Sequence, residues 1–192
     1  MKKSGLVFMV TSIFLICLAL PALADDKQGT YIGLGGNYAL QSFQTVGNNS
    51  FDNAAGFNVK VGYKQSKESA TELALDYFPE FKWTHFRDFL TPASGMTSEK
   101  VRVFSVMVAQ KFSLPYESFR PFVIGGIGYM SAKSESGSTL GSPDSTGFNF
   151  KAGLGMDYFV TGNISLGLEG SYVFGTGDVR YANFTGGAAY HF

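Results

Sequence analysis

The sequence predicts an all-β fold: a closed antiparallel transmembrane β-barrel of eight strands in up-and-down meander order. Three observations predict it. Apolar and polar residues alternate with period two in eight segments along the chain. The connections between those segments alternate between short and long. One face of each segment is rich in Phe and Tyr, whereas the other collects Gly, Ser, Asn and single charges. The chain holds 19 Phe, 10 Tyr, 1 Trp and 24 Gly among 192 residues, which favours strands and tight turns over helices.

The first segment, residues 30–40, sets Ile32, Leu34, Tyr38 and Leu40 opposite Tyr31, Gly33, Gly35, Asn37 and Ala39. Residues 54–64 set Phe57, Val59, Val61 and Tyr63 opposite Gly56, Asn58, Lys60 and Gly62. Residues 70–78 place Leu73, Leu75 and Tyr77 against Glu72, Ala74 and Asp76, and residues 100–112 place Phe104, Val106 and Val108 against Ser105, Met107 and Ala109. In residues 120–130, Val123, Ile127 and Tyr129 oppose a face with Gly126 and Gly128. Residues 147–158 alternate most strictly, with Phe148, Phe150, Ala152, Leu154, Met156 and Tyr158 against Asn149, Lys151, Gly153, Gly155 and Asp157. Residues 164–174 oppose Ile164, Leu166, Leu168, Tyr172 and Phe174 to Ser165, Gly167, Glu169 and Ser171. The last segment, 182–192, carries Phe184, Ala188, Tyr190 and Phe192 on one side.

Short connections fall at residues 65–69, 113–119 and 160–163, and long ones at 41–53, 79–99 and 131–146, with a shorter fourth at 175–181. A transmembrane barrel keeps its short turns in the periplasm and its long loops outside, and an even strand number returns both termini to the periplasmic end. A soluble sandwich shares the alternation, with its apolar face turned inward. The aromatic density of the apolar face fits interfacial girdles instead, and the small residues opposite fit a narrow lumen. In hydrocarbon every backbone group needs a partner, so such a sheet must close.

Residues 1–24 read as a cleaved secretory signal. Lys2 and Lys3 precede an apolar run from Leu6 to Leu20, Pro21 breaks it, and Ala22, Leu23 and Ala24 form a small-x-small site before Asp25. Residues 25–192 are then the barrel domain. Cys17 lies within the leader behind Ile16, which does not suit lipid attachment, so disulfides and thiolate-metal sites are not expected. Removing Lys2 and Lys3 from 15 basic residues leaves 13 against 15 acidic ones, a formal charge of −2. No basic patch points to nucleic acid.

Residues 120–129, RPFVIGGIGY, resemble the Pro-aromatic-Val-x-Gly-x-Gly-x-Gly-Tyr strand of the OmpA-like outer-membrane β-barrel family. Residues 152–158 and 163–172, AGLGMDY and NISLGLEGSY, resemble that family's penultimate hairpin, and the likeness extends over residues 29–192. It implies a barrel in the outer membrane of a Gram-negative cell. The peptidoglycan-binding domain that follows the barrel in outer membrane protein A is not expected after Phe192. The ending AAYHF, with Tyr190 and Phe192 on one face, resembles the signal read by the barrel-assembly machinery. The implied partners are outer-membrane lipid and lipopolysaccharide, that machinery and periplasmic chaperones; the expected state is a monomer.

No catalytic, cofactor or metal site is expected. Lipid A deacylases pair a His with a Ser two residues on, whereas His85 is followed by Phe86 and Arg87, and His191 is next to last. The acids Glu80, Asp88, Glu99, Asp144 and Asp178 lack calcium-loop spacing. What remains is a set of charges on the inward face: Lys60, Glu72, Asp76, Lys151, Asp157 and Glu169. Lys151 and Glu169 are expected to meet across the hairpin, with Glu169 opposite a residue near 153. An eight-stranded interior is filled by side chains, so a general pore is not expected; a count of ten strands would widen the interior and allow a small channel. The expected role is structural or surface-interacting, through extracellular loops. A narrow porin-like channel is the alternative, and a lipid A-modifying enzyme comes third.

Overall fold

The computed structural model describes residues 29–41, 50–86, 96–114, 116, 118–134, 145–175 and 180–192. The expected leader, Asp88, Asp144 and Asp178 lie outside the described residues. Eight long strands run β1 (Gly29–Gln41), β2 (Ala54–Lys64), β3 (Ser69–Phe86), β4 (Met96–Ser113), β5 (Phe119–Ser134), β6 (Ser145–Phe159), β7 (Ile164–Gly175) and β8 (Arg180–His191). Each pairs antiparallel with its neighbour in sequence, and β8 returns to β1, from Tyr31 opposite His191 to Gln41 opposite Tyr181. The barrel is closed, so its ladder leaves no edge to hydrocarbon. A two-residue strand, Ser50–Phe51, pairs with Thr84 and Trp83 at the far end of β3.

The short turns and the described terminus share one end. Phe192 donates its backbone N–H to the Thr30 carbonyl at 3.0 Å and fastens the carboxyl end to β1. The turn after β2 is tied by the Ser66 hydroxyl, which accepts the N–H groups of Glu68 and Ser69. The turn after β6 uses the Thr161 hydroxyl in the same way, accepting from Asn163 and Ile164. These side-chain oxygens satisfy turn amides that the ladder does not reach.

The outward surface has three bands. Ile32, Leu34, Val108, Val123, Ile127, Leu154, Leu166 and Leu168 form an exposed aliphatic middle. Tyr38, Phe57, Phe104, Tyr129, Phe148 and Phe174 ring it on the loop side; Phe112, Phe119, Tyr158, Tyr190 and Phe192 ring it on the turn side. The middle matches lipid tails and the rings sit at headgroup level.

Strands β3 and β4 run further toward the loop end than the alternation suggests. Phe78 lies opposite Val103 and Phe81 opposite Val101, so three steps on β3 face two on β4. This bulge falls at Pro79 and Glu80. In a closed barrel both strand edges are occupied, so a proline without an N–H is accommodated at a bulge. The bulge also changes parity, turning Phe78 and Phe81 to the same inward side although they are three residues apart. Much of the expected long connection at 79–99 is therefore strand, and Phe81 is inside the barrel.

Candidate functional site

The lumen divides into two halves. Toward the loops it is apolar: Phe78, Phe81, Val101, Val103, Met130, Val173 and Tyr181 form one buried cluster with Ala39, Ala54 and Ala132. Tyr181 is fully buried, with its ring 5.5 Å from Phe78 and 6.3 Å from Phe81 between centroids. Phe78 and Phe81 are themselves 5.4 Å apart. The three rings come from β3 and β8 and meet across the barrel as a plug.

Toward the turns the lumen is ionic. Lys111 on β4 reaches Asp157 on β6 at 2.5 Å and Glu72 on β3 at 3.6 Å, and its ammonium lies 3.9 Å from the Phe122 ring centroid. Glu72 accepts the Tyr31 hydroxyl at 2.5 Å and faces Lys60 at 3.8 Å. Tyr31 crosses from β1 to β3 over Gly62, where a β-carbon would run into its ring. Nearer the middle, Asp76 accepts from Asn37 at 2.7 Å and Asn58 at 2.9 Å, and Asn37 accepts from Thr185 at 2.8 Å. Asn149 on β6 donates to Ser105 on β4 at 2.7 Å, over the intervening β5. Buried charges need this density of partners, because an unpaired ion in a dry lumen costs several kcal/mol (roughly) in desolvation.

All six charges singled out in the sequence sit on inward strand faces. Glu72, Asp76, Lys151 and Glu169 are buried, while the Lys60 and Asp157 side chains keep 17% and 14% of their surface. Lys151 and Glu169 form an ion pair at 2.6 Å, but not in the expected register. Glu169 lies opposite Gly155, not a residue near 153, because Val160 and Ile164 pair and shorten the turn. The slip is an even two residues, so both side chains keep their face and the long lysine spans the difference. Tyr190 and Phe192 point outward, with ring centroids 5.0 Å apart.

Sequence reasoning missed Lys111, which ties the network together. Its signal was parity: 111 follows 105, 107 and 109, all assigned inward. It also missed a contact of His191, whose Nε2 lies 2.9 Å from the Ser165 hydroxyl. Ser165 is 2% exposed, and the imidazole packs between Tyr31 and Phe159, each with ring centroids 5.0 Å away. The pair sits at the turn end of the lumen, where Ser165 and His191 each border a cavity. His85 lies in β3 opposite Thr97. Among the described residues no three His, Cys, Asp or Glu side chains converge as a metal site.

Known proteins agree with this architecture. A protein of Coxiella burnetii (strain RSA 493 / Nine Mile phase I), described as uncharacterized, is 28% identical over 84% of this chain and 75% of its own. The crystal structure of Neisserial surface protein A superposes with a TM-score of 0.63 at 15% identity, covering 87% of this chain and all (100%) of that one. The attachment invasion locus protein Ail of Yersinia pestis gives 0.58 at 19% identity over 85% and 99% of the two chains. OprG of Pseudomonas aeruginosa gives 0.60 at 12% identity over 85% and 96%. At such identities these likenesses concern the fold alone. The family model "Outer membrane protein beta-barrel domain" matches residues 10–192. The chain thus belongs to the outer membrane β-barrel protein family and is an integral protein of the cell outer membrane.

Proposed function

We propose that this protein is a non-enzymatic, plugged barrel that acts at the cell surface through its extracellular segments. One observation carries the reading: the loop-side half of the lumen is filled by Phe78, Phe81 and Tyr181, with the ionic network beneath. The cavity beside Lys60, Asp157 and Glu169 measures about 20 Å³, room for roughly one water molecule. A path for solute would have to part three packed aromatic rings, so the barrel is a scaffold and the loops are what it presents.

Conductance in planar bilayers tests this. The wild-type protein is expected to give no unitary steps. Regular steps from the wild type would favour the narrow channel instead. Lipid A mass spectra that differ between deletion and overexpression strains would favour an enzyme.

The same reading assigns partners. The outward bands contact membrane lipid, including lipopolysaccharide in the outer leaflet, and the protein works as a monomer. Tyr190 and Phe192 serve the barrel-assembly machinery after delivery by periplasmic chaperones. Deleting Phe192, which is 71% exposed, should then lower membrane levels in cells while leaving refolding into detergent intact. Equal damage in both assays would make the residue simply structural.

A further inference from the structure

The periplasmic mouth holds more positive charge than its own acids neutralise. Lys64, Lys67, Lys111 and Arg120 line the mouth there, which is open to solvent, with Asp157 and His191 beside them. Asp157 is committed to Lys111, and that lysine's second carboxylate is Glu72 above it. Lys64 and Arg120 both lie over the Phe159 ring, 4.7 and 4.4 Å from its centroid. Neither has a carboxylate within 4.0 Å among the described residues, although Arg120 stands opposite Asp157 in the ladder. Glu68 shares the turn with Lys67 but is exposed, away from the lining of the mouth. The Arg120 Nε is shielded from solvent and has no hydrogen-bond partner.

Two cations stacked on one ring repel each other, and a ring face attracts each without neutralising either. A shielded guanidinium N–H without an acceptor calls for one. Arginine's planar fork matches the geometry of a tetrahedral oxyanion, and a lysine adds a second point of charge. We propose that the periplasmic mouth binds a phosphate group, held by Arg120 and Lys64. Free inorganic phosphate and the headgroup of a phospholipid in the periplasmic leaflet share that chemistry, and both have access to this end.

The test uses the folded protein in dodecyl maltoside, a detergent without phosphate, with the Arg120 Nε–Hε resonance followed by NMR. Inorganic phosphate is titrated in one arm, and short-chain phosphatidylglycerol against phosphate-free diacylglycerol in the other, with chloride matching ionic strength throughout. A saturable shift with inorganic phosphate identifies the free anion as a ligand. A shift with phosphatidylglycerol alone identifies the headgroup. Lys64→Gln should weaken the response about tenfold, the ratio expected for one lost charge-assisted hydrogen bond. Lys100→Gln, at the opposite end, should leave it unchanged. Arg120→Gln, with phosphate affinity read by calorimetry, should weaken binding as much; if it does not fold, Lys64→Gln and the wild-type titrations still decide. No saturable shift in either arm, or one that chloride or Lys64→Gln reproduces in full, overturns the proposal.

Discussion

The two halves of the lumen are built from opposite materials inside one barrel. The loop-side half is a dry cluster around Phe78, Phe81 and Tyr181; the turn-side half is an ionic lattice around Lys111, Glu72 and Asp157. The first is held by area and shape, so each loss leaves a void whose cost depends on how far the touching rings can close it. The second is held by mutual charge, so each residue's worth depends on whether its partners are present. A narrow barrel can therefore be closed twice, once against solutes from outside and once as a brace for the strands.

The difference shows most sharply where one cation serves two acids. Lys111→Met is expected to destabilise the barrel by about 3–5 kcal/mol, since it strands Asp157 and leaves Glu72 with Lys60 and the Tyr31 hydroxyl alone. Urea unfolding in detergent measures this; a loss well below that of Phe81→Ala would mean the lattice is wet enough to screen itself. Phe81→Ala should cost about 3–4 kcal/mol, the range for a large aromatic removed from a packed core. A much smaller loss would show that the plug yields to water and would erase the contrast between the halves.

The Lys151–Glu169 pair tests non-additivity directly. Lys151→Met and Glu169→Gln together should cost less than the sum of the two, with a coupling of about 1–3 kcal/mol. Strict additivity would place the pair with the exposed charges. The smallest effect belongs to those charges: Glu80 and Lys100 pair at 3.2 Å on the exterior near the bulge, where Lys100 keeps 54% of its side-chain surface. Their double-mutant coupling should be below about 1 kcal/mol and fall further with salt.

Much of this was legible beforehand, for a local reason. Alternation is a property of the strand itself, so which face Asn149 or Leu154 takes follows from parity once one neighbour is assigned. The same parity could have found Lys111. It could not have found Phe81, because the bulge at Pro79 and Glu80 breaks the count, and a proline in a run reads more naturally as its end.

By itself, the sequence determined the strands, their faces, the closed sheet and the membrane address, because each depends on short-range periodicity and on the ban on unpaired backbone in lipid. Only the tertiary structure decided who meets whom inside. Tyr31 and Glu72 come from β1 and β3, Lys111 and Asp157 from β4 and β6, and Phe81 and Tyr181 from β3 and β8. None of these pairs lies on adjacent strands. Their contacts depend on how the closed barrel staggers one strand against the next, and that stagger is set jointly by the ladders, the bulge at Pro79 and Glu80 and the turns, not by any segment alone.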